Sequence, residues 1–140
     1  MPKKEPIYLI DGSAYIYRAY HAIAPLTNSS GLPTHAIFGF TNILLRVIRE
    51  KKPQYLAIAF DVRGPNFRHE MFPDYKANRP TMPEDLSVQI PYIREIVEGY
   101  RIAPQERQGF EADDLLAAAV KVLTPTGHPI IIVSGDKDLL

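Results

Sequence analysis

Short apolar runs alternate with longer stretches of helical periodicity along this chain, which predicts strands alternating with helices. Three of the apolar runs lead into an aspartate: residues 7–11, 56–61 and 130–136, the last being strand as far as Ser134. The run 56–61 shows no alternation of polar and apolar positions, as expected for a central parallel strand buried on both faces. The pattern predicts an α/β fold with a mainly parallel, twisted sheet and helices on both faces.

Four helical segments connect these runs. Their predicted limits are 13–24 with Ser13 as N-cap, 34–52 with Thr34 as N-cap, 83–99, and 111–123 with Glu111 or Ala112 at the start. Hydroxyl side chains such as those of Ser13 and Thr34 can accept an unpaired N–H of the first helical turn. Pro91 predicts a kink or a break in the third helix, because proline lacks the backbone donor. A short strand is expected at residues 101–103.

The chain has 140 residues, no cysteine and a formal net charge of zero. Its length favours one domain, and the lack of cysteine excludes disulfides and thiolate metal sites. Because no stretch approaches the roughly 20 apolar residues of a membrane span, we expect a soluble, cytoplasmic protein. Residues 1–80 carry a formal charge of +5 and residues 81–140 one of −5. That asymmetry suits a nucleic-acid partner, but chance partition of surface charge also explains it.

Seven carboxylates fall where an α/β fold gathers such groups. They are Asp11, Asp61, Glu111, Asp113, Asp114, Asp136 and Asp138. The carboxyl ends of the strands in an open α/β sheet form one crevice. Two like charges about 4 Å apart repel by about 4 kcal/mol at an effective dielectric constant near 20. Mg²⁺ or Mn²⁺ would neutralise them, because these ions prefer oxygen ligands. The set therefore predicts a two-metal site for phosphate chemistry.

Each acid alone has a simpler interpretation. Asp11 and Asp61 could end their strands as turn or cap residues, the three acids between 111 and 114 could complement a helix N-terminus, and the last two could lie in a solvated loop. The metal interpretation is favoured for the set, because independent placements would have to coincide at one sheet edge. The sequence has no G-x-x-x-x-G-K-[ST] or G-x-G-x-x-G loop and no G-x-S-x-G elbow. Its four histidines lack zinc spacing.

A long connection without regular periodicity, residues 62–82, follows the second aspartate. It interleaves basic and aromatic side chains: Arg63, Arg68, Lys76 and Arg79 with Phe67, Phe72 and Tyr75. Basic groups can neutralise phosphates, and aromatic rings can stack on unpaired bases for about 1–3 kcal/mol each. A solvated loop held to the core by its aromatic rings explains the composition equally well. The departure of the connection from the strand end that carries Asp61 favours the nucleic-acid interpretation.

A series of short motifs, each weak alone, occurs in a specific order along the whole chain. The motifs are Leu9-Ile10-Asp11-Gly12-Ser13, Tyr17-Arg18-Ala19-Tyr20-His21-Ala22, Gly39-Phe40, Ala59-Phe60-Asp61, Phe67-Arg68, Tyr75-Lys76-Ala77-Asn78-Arg79, Glu111-Ala112-Asp113-Asp114 and Gly135-Asp136-Lys137-Asp138. In this order they resemble the N-terminal part of the 5′–3′ exonuclease domain of bacterial DNA polymerase I, within the flap endonuclease family.

The resemblance implies a PIN-like sheet and Mg²⁺- or Mn²⁺-dependent hydrolysis of DNA at 5′ ends or 5′ flaps, in replication and repair at the nucleoid. The seven carboxylates correspond to metal-site acids of the family, and Asp61 also to a catalytic residue. Lys76 and Arg79 correspond to catalytic basic residues at the foot of a helical arch, where they would stabilise and hold the scissile phosphate. The implied DNA-binding residues are Arg18, Arg68, Tyr75, Lys76 and Arg79.

Two departures from the family follow from the resemblance. The first is that further metal-site aspartates and a helix–hairpin–helix-like element would fall beyond Leu140. The second is that His35 stands where many relatives carry a smaller residue. We therefore expect residues 1–140 to be the N-terminal part of the domain, without its C-terminal DNA-binding helical part. The second metal site would be incomplete and activity alone weak or absent. A polymerase could be fused on the C-terminal side of the parent protein.

Two other functions stay open at this point. One is a DNA-binding module without catalytic activity. The other is a Mg²⁺-dependent phospho-acceptor receiver domain, which also gathers acids at strand ends. The receiver is disfavoured because that fold needs a lysine near the end of its last strand, and because the basic and aromatic connection has no role in it.

Overall fold

The computed structural model describes residues 4–61, 82–102, 104–106 and 110–134. The strands are β1 Ile7–Asp11, β2 Tyr55–Ala59, β3 Pro104–Gln105 and β4 Ile130–Val133; the helices are α1 Gly12–Ala22, α2 His35–Lys51, α3 Glu84–Ser87, α4 Ile90–Gly99 and α5 Ala112–Leu123, followed by a 3₁₀ turn at Thr124–Thr126. Strands and helices alternate along the chain, as the apolar pattern predicts.

The described strands form one parallel sheet in the order β3-β2-β1-β4. Leu9 in the central strand β1 lies opposite Ala57 on one side and Ile132 on the other. The chain builds the sheet outward from β1 through β2 to β3 and then returns to add β4 on the other side of β1. This reversal of direction creates a crevice at the carboxyl ends of β1 and β4, where open α/β sheets bind ligands.

Alternate residues of the strands point to opposite faces of the sheet. Ile10 and Ile58 belong to the larger core cluster, which includes residues of α1, α2, α3 and α4, whereas Leu9 and Ala59 pack with Leu116 of α5 in a second cluster. Both faces of the sheet are thus covered by helices, and the predicted fold class is confirmed. None of the helices in the described ranges is long and apolar enough to cross a membrane.

The start of α1 differs from the prediction. Asp11, and not Ser13, is the N-cap: its carboxylate Oδ1 accepts the Ala14 N–H at 3.0 Å. Ser13 lies inside the first turn, where its hydroxyl accepts the Asp61 N–H at 2.7 Å. The prediction failed because both residue types cap helices well, and only the folded chain offers Ser13 a partner 48 positions away. The helix also ends two residues earlier than expected, at Ala22.

The third predicted helix is broken as expected for its proline. Residues 84–87 form the one-turn helix α3, and α4 starts afresh at Ile90, with Pro91 in its first turn. Proline is tolerated there because the first backbone N–H groups of a helix have no intrahelical partner. The strand predicted at residues 101–103 does not form at the two of these residues that the structure describes, Arg101 and Ile102. Arg101 has a φ of 60°, outside the extended region, and the strand lies at Pro104–Gln105 instead.

The N-terminus of α2 is capped by a distant side chain. Thr34 precedes the helix as predicted, but its hydroxyl makes no cap hydrogen bond. The fully buried Gln89 accepts the N–H groups of Ala36 at 2.8 Å and Ile37 at 3.1 Å, and its own amide donates to the Asp85 carbonyl at 2.8 Å. Gln89 therefore joins the junction of α3 and α4 to the start of α2.

The first residue of α2 is the buried His35, which accounts for the departure noted in the sequence. Its ring packs against that of Tyr20 in α1, with centroids 5.0 Å apart. The Tyr20 hydroxyl in turn donates to the Asp85 carboxylate at 2.7 Å. A histidine at this position therefore contributes to the contact between α1 and α2.

We predict that Gln89→Ala lowers the free energy of unfolding by about 2–3 kcal/mol, because it leaves two buried N–H donors of α2 without an acceptor. Urea denaturation measured by circular dichroism checks this value. Glu95→Ala, an exposed change on α4, the helix that Gln89 precedes, is the matched control and should stay within about 0.5 kcal/mol of the unsubstituted protein. Equal stabilities of the two variants would contradict the capping role.

Candidate metal centre

Asp11 ends the central strand and begins α1. One of its carboxylate oxygens is occupied by the Ala14 N–H, so the side chain is held over the carboxyl edge of the sheet. Gly12 allows α1 to start this close to β2. A Cβ at that position would lie 2.9 Å from the Ala59 carbonyl oxygen and 2.7 Å from the Phe60 ring. The glycine therefore brings Asp11 near the end of the neighbouring strand.

Asp61 lies two residues beyond β2 and contacts two helices. Its backbone N–H donates to the Ser13 hydroxyl at 2.7 Å, and its carboxylate Oδ1 accepts the Ala112 N–H at 2.6 Å. Ala112 is the first residue of α5, so the carboxylate satisfies one of the unpaired donors of that helix end. Asp61 thus joins α1, the end of β2 and the start of α5, while its side chain stays accessible to solvent.

Asp113, in the first turn of α5, completes a group of three acids. Burial, and after it the charges of Asp113 and Asp61, raise the pKa of Asp11 to about 6, against the lowering effect of the Ala14 N–H. A hydrogen bond from the protonated Asp11 to Asp113 acts in the same direction. The structure therefore brings Asp11, Asp61 and Asp113 together at one edge of the sheet, as the sequence predicts.

Glu111 and Asp114 form a capping box at the start of α5. The Glu111 carboxylate accepts the backbone N–H of Asp114, and the Asp114 carboxylate accepts the Glu111 N–H at 2.9 Å. For this pair, the simpler interpretation as helix-terminus acids describes what the structure shows. A role as metal ligands stays a prediction for both residues.

The three convergent acids have the chemistry of a hard-cation site but not a closed coordination shell. Carboxylate oxygens are the ligands that Mg²⁺ and Mn²⁺ prefer. Within the described ranges, no three His, Asp or Glu side chains surround a single point closely enough to hold an ion as they stand. The other predicted acids, Asp136 and Asp138, lie outside the described residues. The residues present fit part of a metal site whose remaining ligands would come from elsewhere.

A cleft of about 480 Å³ opens beside these acids, between α1, the end of β2 and α4. Its polar lining residues are Ser13, Asp61, Ser87, Arg94 and Glu106. Apolar side chains form most of the remaining wall: Ile16, Tyr17, Phe60, Met82, Ile90 and Pro91. The volume and the mainly apolar lining with a few polar groups are typical of ligand-binding clefts.

The predicted DNA-binding residues are only partly described. Arg18 is exposed on α1. Burial raises the pKa of the neighbouring Tyr15, and the charge of Arg18 offsets part of that rise. The others, Arg68, Tyr75, Lys76 and Arg79, lie outside the described residues. Sequence reasoning missed Arg94 and Glu106 in the cleft and misassigned Ser13, because nothing in the local sequence marks a contact across the fold.

Comparisons with known proteins support one family. A family model described as the N-terminal resolvase-like domain of 5′-3′ exonuclease matches residues 6–140. The DNA polymerase I of Caldicellulosiruptor bescii is 44% identical over 134 residues, which are 96% of this chain and 16% of that protein. A 5′-3′ exonuclease of Aquifex aeolicus is 42% identical over 134 residues, which are 96% of this chain and 46% of that protein. The chain thus spans less than half the length of these relatives.

A solved structure confirms the PIN-like fold. The crystal structure of the flap endonuclease of bacteriophage T5, in complex with DNA and metal ions, matches with a TM-score of 0.62 at 18% identity. The match covers 96% of this chain and 50% of that one. At this level of identity, the likeness concerns the fold.

We predict that Asp11→Asn stabilises the metal-free protein above pH 6 and has little effect near pH 4. The pKa of Asp11 is raised in the folded state from 3.8 to about 6. Between these values the folded protein therefore holds a proton that the unfolded chain has lost, and stability falls as the pH rises. Allowing for the screening of this partly exposed group by solvent, we expect a gain of about 1–2 kcal/mol at pH 7.

Urea denaturation in a chelator at pH 4, 5, 6 and 7 measures this difference. The gain from Asp11→Asn should grow up to pH 6 and then stay constant. A constant difference across the range would show that the fold does not raise the pKa of Asp11. Glu95→Gln, which neutralises an exposed carboxylate on α4, serves as the control.

Proposed function

Because the chain belongs to the family of the N-terminal resolvase-like domain of 5′–3′ exonucleases, we propose that it is the metal-binding part of a divalent-metal-dependent 5′–3′ exonuclease or 5′-flap endonuclease. The observation that carries this proposal is the convergence of Asp11, Asp61 and Asp113 at the crevice of the sheet. Relatives named DNA polymerase I and 5′-3′ exonuclease support DNA as the substrate.

The proposed ligands of Mg²⁺ or Mn²⁺ are Asp11, Asp61, Glu111, Asp113, Asp114, Asp136 and Asp138. Bound ions of this kind lower the pKa of a water molecule and stabilise the leaving oxygen of a phosphodiester. Asp11 and Asp61 supply carboxylate oxygens that the Ala14 and Ala112 N–H groups hold in fixed directions. The acids would also exclude DNA phosphates from the crevice unless cations offset their charge.

We propose that Lys76 and Arg79 place positive charge beside the scissile phosphate and that Tyr75, Arg68 and Arg18 bind the strand. Basic side chains stabilise the charge that develops on a transferring phosphoryl group. Arg18 lies on α1, and the other four residues belong to the connection 62–82 that follows Asp61, whose backbone N–H is hydrogen-bonded to Ser13. A polymerase on the C-terminal side is part of the proposal, since the C. bescii relative is a DNA polymerase I.

The strand order argues against the receiver domain. Receiver domains have the flavodoxin-like order 2-1-3-4-5, in which β1 lies between β2 and β3. In this chain β2 lies between β1 and β3. A DNA-binding module without catalytic activity is compatible with the fold, and turnover measurements separate it from a nuclease.

We predict that Asp61→Asn and Asp113→Asn, each introduced into the longer parent protein, lower the turnover of a fluorescent 5′-flap DNA with Mg²⁺ on the order of 10²-fold or more, because each removes a charge from the proposed metal site. DNA binding measured in a chelator should be unchanged or stronger. Asparagine keeps an oxygen that can accept the Ala112 N–H, so the fold is preserved in Asp61→Asn.

Glu50→Gln, an exposed change near the C-terminal end of α2, is the control and should cleave as the unsubstituted protein does. Undiminished cleavage by both aspartate variants would refute the metal assignment. Binding without any turnover by the unsubstituted protein, with either Mg²⁺ or Mn²⁺, would favour the DNA-binding module.

We predict that Lys76→Ala slows single-turnover cleavage and lowers the salt slope of DNA binding by about 0.7, the value for one phosphate contact on a single strand. The reason is the loss of one cation near the scissile phosphate. Lys51→Ala, at the far end of α2, removes the same charge and is the control. An unchanged cleavage rate would remove Lys76 from the mechanism.

A further inference from the structure

Arg94 of α4 and Asp61 both line the cleft described above. Among the described residues that line this cleft, Arg94 is the one basic side chain, and Asp61 and Glu106 are the acidic ones. A DNA strand that reaches Asp61 through this cleft therefore passes one fixed positive charge.

Two side chains, those of Glu106 and Phe60, hold the Arg94 guanidinium in place. Both of its terminal nitrogens donate to the two carboxylate oxygens of Glu106, the residue that follows β3. Its carbon lies 5.6 Å from the centre of the Phe60 ring, and Phe60 directly precedes Asp61. A guanidinium held by a carboxylate and an aromatic face is pre-oriented, so it loses little side-chain freedom when it binds a ligand.

Donors for a ligand are left over in this arrangement. A guanidinium has five N–H groups in a planar fork, and the bidentate pair with Glu106 uses two of them. The side chain of Arg94 is about one-third exposed. A phosphodiester oxygen is the acceptor that such a fork binds well, because the charge is opposite and the geometry matches.

We propose that Arg94 is a DNA-binding residue, which donates to a backbone phosphate of the strand lying in this cleft, beside the Asp61 site. Glu106 and Phe60 are its positioning residues. The proposal rests on the proposed function and adds a contact from the body of the fold to those of the connection 62–82.

A purely structural ion pair between α4 and the end of β3 is the competing explanation. The two explanations differ in what they require. A structural pair needs opposite charges at positions 94 and 106 in either order, whereas phosphate binding needs the positive charge at position 94. Exchanging the two residues separates them.

The experiment measures binding of a fluorescent 5′-flap DNA to the full chain, in a chelator and over a series of salt concentrations. The variants are Arg94→Met and the exchange Arg94→Glu with Glu106→Arg. Arg94→Met should weaken binding about 5- to 10-fold at low salt and reduce the slope of log K against log salt by about 0.7–0.9. The exchanged variant restores the ion pair but not the contact of a guanidinium with Phe60, so it should melt no lower than Arg94→Met and bind at least as weakly as Arg94→Met.

Arg49→Met, an exposed change in the last turn of α2, removes the same charge. It should leave the DNA affinity and its dependence on salt concentration nearly unchanged. Full binding by the exchanged variant, or equal losses in Arg94→Met and Arg49→Met, would overturn the role of Arg94 and leave the nuclease proposal standing. If the unsubstituted chain neither binds nor cleaves flap DNA, both proposals fail.

Discussion

The burial of one carboxylate beside two others at the carboxyl edge of the sheet is the constraint on which the proposed function depends. Burial, and after it the charges of Asp113 and Asp61, raise the pKa of Asp11 to about 6. Backbone N–H groups at the starts of α1 and α5 offset part of this cost, because Ala14 donates to Asp11 and Ala112 to Asp61. Helix N-termini favour negative charge by about 0.3–1 kcal/mol each, which is less than the repulsion of two close carboxylates. A cation would offset the remainder.

Asp61 shows how one residue serves both the fold and the site. Through Ser13 and Ala112 it connects the helix on one face of the sheet with the helix on the other. The strand order places this junction beside the crevice between β1 and β4. Asp61 also lines the cleft that contains Arg94. Asp61 therefore caps a helix, lies close to other carboxylates and is accessible to a ligand. Active sites commonly hold residues whose functional placement lowers the stability of the fold.

The acids illustrate how far a site can be predicted from its residues. Asp11, Asp61 and Asp113 follow strands or open a helix, so the geometry of a parallel sheet is enough to predict that they meet. Glu111 and Asp114 were grouped with them, yet the structure shows the two in a capping box. Composition alone does not separate a metal ligand from a helix cap, because a carboxylate serves both purposes. The contribution of Arg94 and Glu106 to the cleft had no local signature at all.

Hydrophobic periodicity and the position of Pro91 determined the order of strands and helices, the two-faced sheet and the broken third helix, since these depend on local steric preferences and on burial. The tertiary structure alone decided that Gln89 caps α2, that Ser13 binds Asp61, and that β2 separates β1 from β3. The two hydrogen bonds, Gln89 with Ala36 and Ser13 with Asp61, join residues 53 and 48 positions apart. A hydrogen bond needs its two atoms within about 3 Å, and such a distance depends on how the packed elements are placed, which no local pattern of residues encodes.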